Sequence, residues 1–516
     1  MKKITKMLLC IFFFIISITT VCAKSDTFEL GWSKKITSKA DHIMYLGYTR
    51  KVTFGDGYVV SKINIDDERT SLIYYNYNGE VIKEAILENK GVVSLKEYDG
   101  SLYALSLSDT DNSSEEMLMV LSKLNDNLEE VATETISFGE EFLPFLSYIP
   151  FFVNYVGIDY ISTVDDRITV LGSTKTDLTL THFDKNLKNK EVKVLKNNDI
   201  EYGAKYYPIV TDFMNLMELT SDNRIPEQIT ILSEEKNNMQ IHNGAELSQC
   251  ELLFRIKDAV DNNENLTEID LPQCYINSKL KLTNDNNVVF DKIYENYLLL
   301  INARIIDNYI VAIGLKNIGN ITDYINKGIN EDLNALDFNI QTDIVVLNMD
   351  GEIVQTISKG NNHYLEIIPS KNGFAVSKFA LDVSILDVIK GTATEKVTFD
   401  IFLEHYNLQR NVNTKVKGNG SILVTDKMRA GEMVKFEISP EKGYVLGTIK
   451  ITDANGNVIE RNENTFLMPE SEVTIEVSFV PENPETKDIA IICVCIIFII
   501  GLACTIINYR KVNFLR

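Results

Sequence analysis

Cysteine is scarce in this chain and poorly placed for a disulfide framework. Of 7 in 516 residues, Cys10, Cys22, Cys493, Cys495 and Cys504 fall in or at the edge of apolar terminal stretches. Only Cys250 and Cys274 remain in the body, enough for one disulfide or for two buried thiols. Five scattered histidines beside two cysteines match no zinc spacing. Tryptophan occurs once, as Trp32. Positive charge is also short, with 51 Lys and Arg against 73 Asp and Glu. The six basic residues at the two ends have no acidic neighbours, so the body between them carries about −28. Such a surface repels nucleic acid and anionic lipid, and it keeps the protein soluble or draws basic partners. Nucleophile elbows, His-Glu-x-x-His, phosphate-binding Gly loops and dinucleotide fingerprints are all missing.

Other acidic features carry little. Glu115-Glu116, Glu140-Glu141, Asp165-Asp166 and Glu234-Glu235 are sequence neighbours, which a strand sends to opposite sides, so they do not form facing carboxylates. No cofactor is called for. The run Asp109-Thr110-Asp111-Asn112-Ser113-Ser114-Glu115 sets oxygen atoms at alternate positions, as a calcium loop would, but lacks the central glycine of such loops.

What is present begins with a basic start, an apolar run from Met7 to Ile18, and Val21-Cys22-Ala23. This reads as a secretion signal over residues 1–23, cleaved between Ala23 and Lys24. At the other end, residues 489–508 form an apolar stretch of about 20 residues, long enough as a helix to cross a bilayer. Arg510, Lys511 and Arg516 follow and place the tail 509–516 inside. The chain is thus expected to sit in a cell membrane with its body outside.

Between these ends a meander of four short strands recurs. In Gly91–Ser137 an apolar run with Val92, Val93 and Leu95 meets the turn Tyr98-Asp99-Gly100, and a strand with Leu102, Ala104, Leu105 and Leu107 follows. A third strand over Met117–Leu121 reaches a second turn at Asn125-Asp126-Asn127 before the fourth. Copies run from Met44 to Leu87 and from Val153 past Asp184-Lys185-Asn186, then over 297–358, and from Tyr364 to Tyr406-Asn407. A fainter copy over 206–271 has strand candidates at Gln228–Leu232, Leu252–Ile256 and Leu266–Ile269. Asx-Gly pairs accept the positive φ of tight hairpins, and alternation gives each strand a face to bury. Four strands repeated at about 40 to 60 residues favour an all-β, six- or seven-bladed propeller over residues 24–412. By pattern, residues 28–415 resemble the generic β-propellers of bacterial surface proteins.

Three interruptions of the repeat are the expected recognition elements. Residues 138–156 carry Phe142, Phe145, Tyr148, Phe151 and Phe152, either as an exposed patch or packed under a long connection. Residues 316–340 space Ile321, Ile325, Ile329, Leu333 and Leu336 as a helix, and 381–394 carry a further apolar set.

From Asn413 the texture changes. Gly418-Asn419-Gly420-Ser421, Ala430-Gly431-Glu432, Pro440 with Gly443-Tyr444, and Phe466-x-Met468-Pro469 are similar to the bacterial surface repeat related to the B repeats of internalins. The resemblance covers residues 413–480 and implies a compact β spacer or accessory adhesive unit without catalytic residues. In the linker 481–488, Asn483-Pro484-Glu485-Thr486 resembles a degenerate sortase sorting signal, with Lys487 where sortases expect a small residue. A retained membrane helix and wall attachment at Thr486 are the two fates this allows. Together these features lead to the expectation of a surface-anchored, non-catalytic interaction protein with a protein or glycan ligand outside the cell. An exported polysaccharide hydrolase or lyase and an envelope scaffold are the alternatives.

Overall fold

The computed structural model describes residues 26–40, 49–63, 69–107, 116–139, 160–174, 177–196, 199–206, 228–234, 237–243, 255, 262, 264, 277–284, 287–316, 342–358, 362–381, 398–482 and 496–502. They are mostly strand, in two compact units. One is Phe28–Asn407, and the other joins Met1–Thr27 to Leu408–Arg516.

The larger unit opens with β1 (Thr27–Ala40). Then β2 (Lys51–Phe54), β3 (Gly57–Ile63), β4 (Arg69–Asn76) and the first half of β5 (Val81–Tyr98) form sheet I. The second half of β5 opens sheet II, with β6 (Ser101–Leu107), β7 (Glu116–Leu124) and β8 (Glu130–Gly139). Sheet III is β9 (Ile161–Ser162), β10 (Ile168–Ser173), β11 (Leu178–Phe183) and β12 (Glu191–Val194). A short helix α1 (Ile200–Tyr206) follows it. Sheet IV is β13 (Gln228–Glu234), β14 (Asn237–Asn243), β15 (Ser278–Asn284) and β16 (Asn287–Tyr294). Sheet V is β17 (Tyr297–Ile306), β18 (Tyr309–Lys316), β19 (Thr342–Asn348) and β20 (Ile353–Ser358). In sheet VI, β21 (Asn362–Ser370), β22 (Gly373–Leu381) and the start of β23 (Phe399–Lys417) are joined by β1. Sheets I to V are antiparallel meanders of four strands, and sheet VI adds β1 to the antiparallel run β21–β22–β23.

Strand alternation explains the packing. In β6, Leu102 and Ala104 enter a cluster with Phe54, Val59 and Leu72 of sheet I, while Tyr103 and Leu105 enter another with Ile168, Val170 and Leu180 of sheet III. A central strand therefore buries both faces, each against a different neighbour. In β3, Val59 points to sheet II while Tyr58 and Val60 pack with Ile368, Ala375 and Leu403 of sheet VI. Leu280, Leu282 and Phe290 of sheet IV meet Tyr297, Leu300 and Val345 of sheet V. Phe28 meets Tyr309 at 5.7 Å between ring centroids and Phe374 at 5.1 Å, joining sheet V to sheet VI. The sheets thus pack in the order IV, V, VI, I, II, III.

The turn before the fourth strand is a recurring device. Asn76 Oδ1 accepts the N–H groups of Asn78 and Glu80 at 3.0 and 2.9 Å. Asn125, Asp184 and Asn348 do the same for the residues two and four ahead. The third position after the Asx has positive φ and is Gly79, Leu128, Leu187 or Gly351. Glycine is required where an aromatic ring lies on the turn, since a Cβ at Gly79 would stand 2.8 Å from Trp32 and one at Gly351 would stand 2.7 Å from Phe290. Leucine serves at 128 and 187, where both side chains are buried. In sheet VI the corresponding His405-Tyr406-Asn407-Leu408 lacks the Asx cap, and β23 runs straight through it.

The smaller unit contains the rest of β23 with β24 (Gly420–Val424), β25 (Lys427–Arg429), β26 (Met433–Pro440), β27 (Tyr444–Asp453), β28 (Thr465–Leu467) and β29 (Val473–Pro481). Residues 412–417 of β23 pair in parallel with β29, which pairs antiparallel with β27, and β26 lies between β24 and β28. Phe436, Phe466, Met468, Ile475 and Val477 form its core. Asp26 accepts from Arg410 and from the Asn411 backbone at 3.3 and 3.1 Å.

Several expectations change. The fourth sheet does begin at Gln228, but its other strands are β14, β15 and β16. Arg255, within the strand expected at Leu252–Ile256, is helical. Trp32 lies on the opening strand β1, which supplies the fourth strand of sheet VI. Residues 496–502 are helical, and no helix of the described residues is long and apolar enough to cross a membrane. Ala23, Lys24, Cys250, Cys274, Asn483, Pro484, Glu485, Thr486, the loop with Phe142, Phe145, Tyr148, Phe151 and Phe152, the segment Asp109–Glu115, and most of 316–340 and 381–394 lie outside the described residues.

Candidate functional site

First strands of neighbouring sheets run beside one another, β17 by β21, β21 by β2, and β2 by β5. Arg50 and residues 51–53 of β2, 93–97 of β5, Arg304 of β17 and 366–369 of β21 together line an open cavity of about 320 Å³. These strands come from sheets I, II, V and VI, which are consecutive in the packing order.

Three of the four strands lose register at the cavity. The β5–β6 ladder shifts between Val92 and Ser94, β17–β18 between Ile301 and Arg304, and β21–β22 between Tyr364 and Glu366. A bulge bends a strand and re-aims the side chains beside it. At β17 the bulge contains Asn302 at φ 52°, two residues before Arg304.

The wall is charged and mostly cationic. Arg50, Lys51, Lys96 and Arg304 face it together with Glu97 and Glu366, beside Val52, Val93, Leu95, Ile367 and Ile368. The Lys51 side chain is 1% exposed, donates to Thr49 O at 2.6 Å and lies 3.7 Å from Glu366 Oε2. Burial pushes the Lys51 amine down to about 8, against the opposing pull of Glu366. Glu366 Oε2 accepts no hydrogen bond among the described residues. Arg304 Nη1 donates to Ala303 O at 3.0 Å and Glu97 Oε1 accepts from Gly100 N at 3.0 Å. Thr53 Oγ1 donates to Pro369 O, holding β2 against β21.

No family model matches the chain, and no curated protein matches it. Among solved structures it is similar to a member of the DUF4221 family from Bacteroides vulgatus, with TM-score 0.32, 11% identity, and 75% of this chain and 99% of that chain covered. It is similar to a prolyl endopeptidase with TM-score 0.33, 10% identity, and 84% and 62% covered. A subtype N10 neuraminidase-like protein of A/little yellow-shouldered bat/Guatemala gives TM-score 0.29, 9% identity, and 74% and 100% covered. Likeness at this level establishes neither a family nor an activity.

A second polar cluster lies on sheet III. His182 Nδ1 meets Thr169 Oγ1 at 2.8 Å and its Nε2 meets Tyr202 OH at 3.1 Å. Burial lowers the His182 pKa. Asp165 Oδ2 accepts from Lys205 at 2.5 Å and from Tyr206 at 3.0 Å, and Asp166 Oδ1 accepts from Tyr98 at 2.8 Å. The Asp165-Asp166 pair is therefore tied to its surroundings rather than simply solvated, and α1 is held to the sheet by it. No group of three His, Cys, Asp or Glu suited to a metal occurs among the described residues.

None of the charged cavity residues stood out in the sequence. The signal that was available is the basic residues at the start of repeat strands in an acidic chain: Arg50-Lys51, Lys96 and Arg304 each open or sit in a first strand. A single charge in a strand reads as a solvated face until its neighbours are known.

Proposed function

We propose that this chain is a surface-displayed binding protein: a six-bladed β-propeller carried outside a membrane by the C-terminal apolar segment, with the unit after Asn407 as a spacer. The observation that carries the reading is the convergence of first strands from four consecutive sheets on one cavity. The pairing of β1 into sheet VI supports it, because a propeller is commonly closed by a sheet built from both ends of its chain. The resemblance of residues 413–480 to the internalin-related repeat supports the spacer, and the signal-like start supports export.

Protease treatment of intact cells that make the protein should remove the body while sparing cytoplasmic markers. The full-length protein in detergent should bind members of a glycan array or a panel of extracellular proteins. Protection from protease in intact cells, or no ligand in either panel, overturns the reading. A polysaccharide hydrolase or lyase is the second reading, favoured by the charged wall. Release of reducing ends or unsaturated products from polysaccharides would establish it.

A further inference from the structure

The cavity wall combines features that select a ligand. Among the described residues that line it, four cationic side chains stand with two carboxylates, in a chain whose net charge is −22. A local positive field inside an acidic body attracts a small anion, while the body repels long polyanions. Arg50 and Lys51 are 6% exposed, so their charges act from within a desolvated wall where screening is weak. Arg304 is half-buried and offers a planar fork suited to a carboxylate. Glu366 Oε2, without a donor among the described residues, is suited to accept a hydroxyl. Val52, Val93, Leu95 and Ile367 supply an apolar surface for the C–H face of a ring. The volume, about 320 Å³, is that of a small-molecule site.

We infer that this cavity binds a small hydroxylated carboxylate of the sugar-acid class, its carboxylate on Arg304 in the field of Arg50 and Lys51, and a hydroxyl on Glu366. The inference deepens the binding reading above and rests on it. Its source is a free sugar acid or the acidic terminal residue of a glycan.

Isothermal titration of the full-length protein in detergent with D-glucuronate, D-glucose and inorganic phosphate tests it. Glucuronate should bind, glucose should show no saturable heat because it lacks the carboxylate, and phosphate should bind at least tenfold more weakly because it lacks the ring and hydroxyls. Arg304→Ala should weaken glucuronate binding at least about tenfold, the value of a charge-assisted hydrogen bond. Glu366→Leu removes both a wall carboxylate and the hydroxyl acceptor, so the ratio of glucuronate affinity to phosphate affinity should fall about threefold or more. Circular dichroism and thermal melting report whether each variant is folded. Should Arg304→Ala fail that check, Arg304→Lys keeps the charge, loses the fork, and should bind with intermediate affinity. Equal binding of glucose and glucuronate, phosphate binding as tight as glucuronate, no binding of glucuronate, or wild-type affinity in a folded Arg304 variant would each overturn the inference. A glycan array that is bound equally by wild type and Arg304→Ala would leave the surface-binding reading standing and sink only the cavity assignment. Array binding confined to glycans ending in an acidic sugar, and lost in Arg304→Ala, would identify the glycan rather than the free acid as the source.

Discussion

The join between the two ends of the larger unit is the most informative place to perturb. Lys378 Nζ on β22 lies 2.6 Å from Glu404 Oε1 on β23, with the two side chains 10% and 2% exposed. Tyr406 OH donates to Glu404 Oε2 at 2.9 Å, and Ser33 of β1 reaches Glu404 Oε1 at 3.4 Å. Lys378→Met removes the cation and leaves a buried carboxylate whose hydroxyl donors include Tyr406 and Ser33. Loss of one partner of a buried pair costs about 3 to 5 kcal/mol. Glu404→Gln, which strands the ammonium, should cost a similar amount. The double variant leaves no buried charge and should be less destabilised than the sum of the singles by about 2 kcal/mol or more. Trp32, the only tryptophan, reports the event directly. It lies on β1, stacks on His405 at 5.5 Å between centroids, and donates from its indole to Tyr77 O at 2.9 Å. Urea unfolding followed by its fluorescence therefore tracks sheet VI. A Lys378→Met variant within about 1 kcal/mol of wild type, or singles that add in the double, would refute the account of a buried pair holding this strand junction.

Three further outcomes follow from the same physics. Gly351→Ala meets φ +73° and a Cβ 2.7 Å from Phe290, and should lower stability by about 1 to 3 kcal/mol in thermal melts. Gly456→Ala, at φ +84° with open space around it, should cost less. Asn125→Ala removes the acceptor for two backbone N–H groups at an exposed turn and should cost about 1 kcal/mol. For Lys51, burial puts the folded pKa at about 8, below the ordinary lysine value of 10.5. The unfolded chain then holds the proton more tightly, so stability from this group is lost as pH falls through about 8 and is fully present above 10.5. Arg50, Arg304, Lys96, Glu97 and Glu366 share its wall. Stability measured from pH 7 to 10.5 should rise in wild type relative to Lys51→Met, and parallel curves would refute the lowered pKa.

Much of the fold was legible, and the reasons are local. The turns at Asn76, Asn125, Asp184 and Asn348 announce themselves because a short side-chain acceptor and a residue tolerant of positive φ must sit at fixed spacing. The central strands beside them show because they are apolar on both faces. Sheet IV was hard to read because β15 and β16, with Lys279, Lys281, Asp291 and Lys292, carry charges on their open faces and follow a long insertion. At Tyr406-Asn407 β23 continues without a turn, and the His405 ring there is held by Tyr58 and Asn407 at 2.9 and 3.0 Å.

The sequence by itself determined the repeated four-strand unit, the terminal apolar segments and the change of character near Asn413, since these depend on period, length and turn chemistry. The tertiary structure decided two other things. It brought β1 beside β23, a pairing of strands more than 350 residues apart that no local signal encodes, as Lys35 facing Asp400 at 2.5 Å shows. It also turned isolated charges on β2, β5, β17 and β21 into a common wall. Strand pairing and cavity lining depend on which distant segments meet, and that is a property of the packed sheets rather than of any stretch of chain.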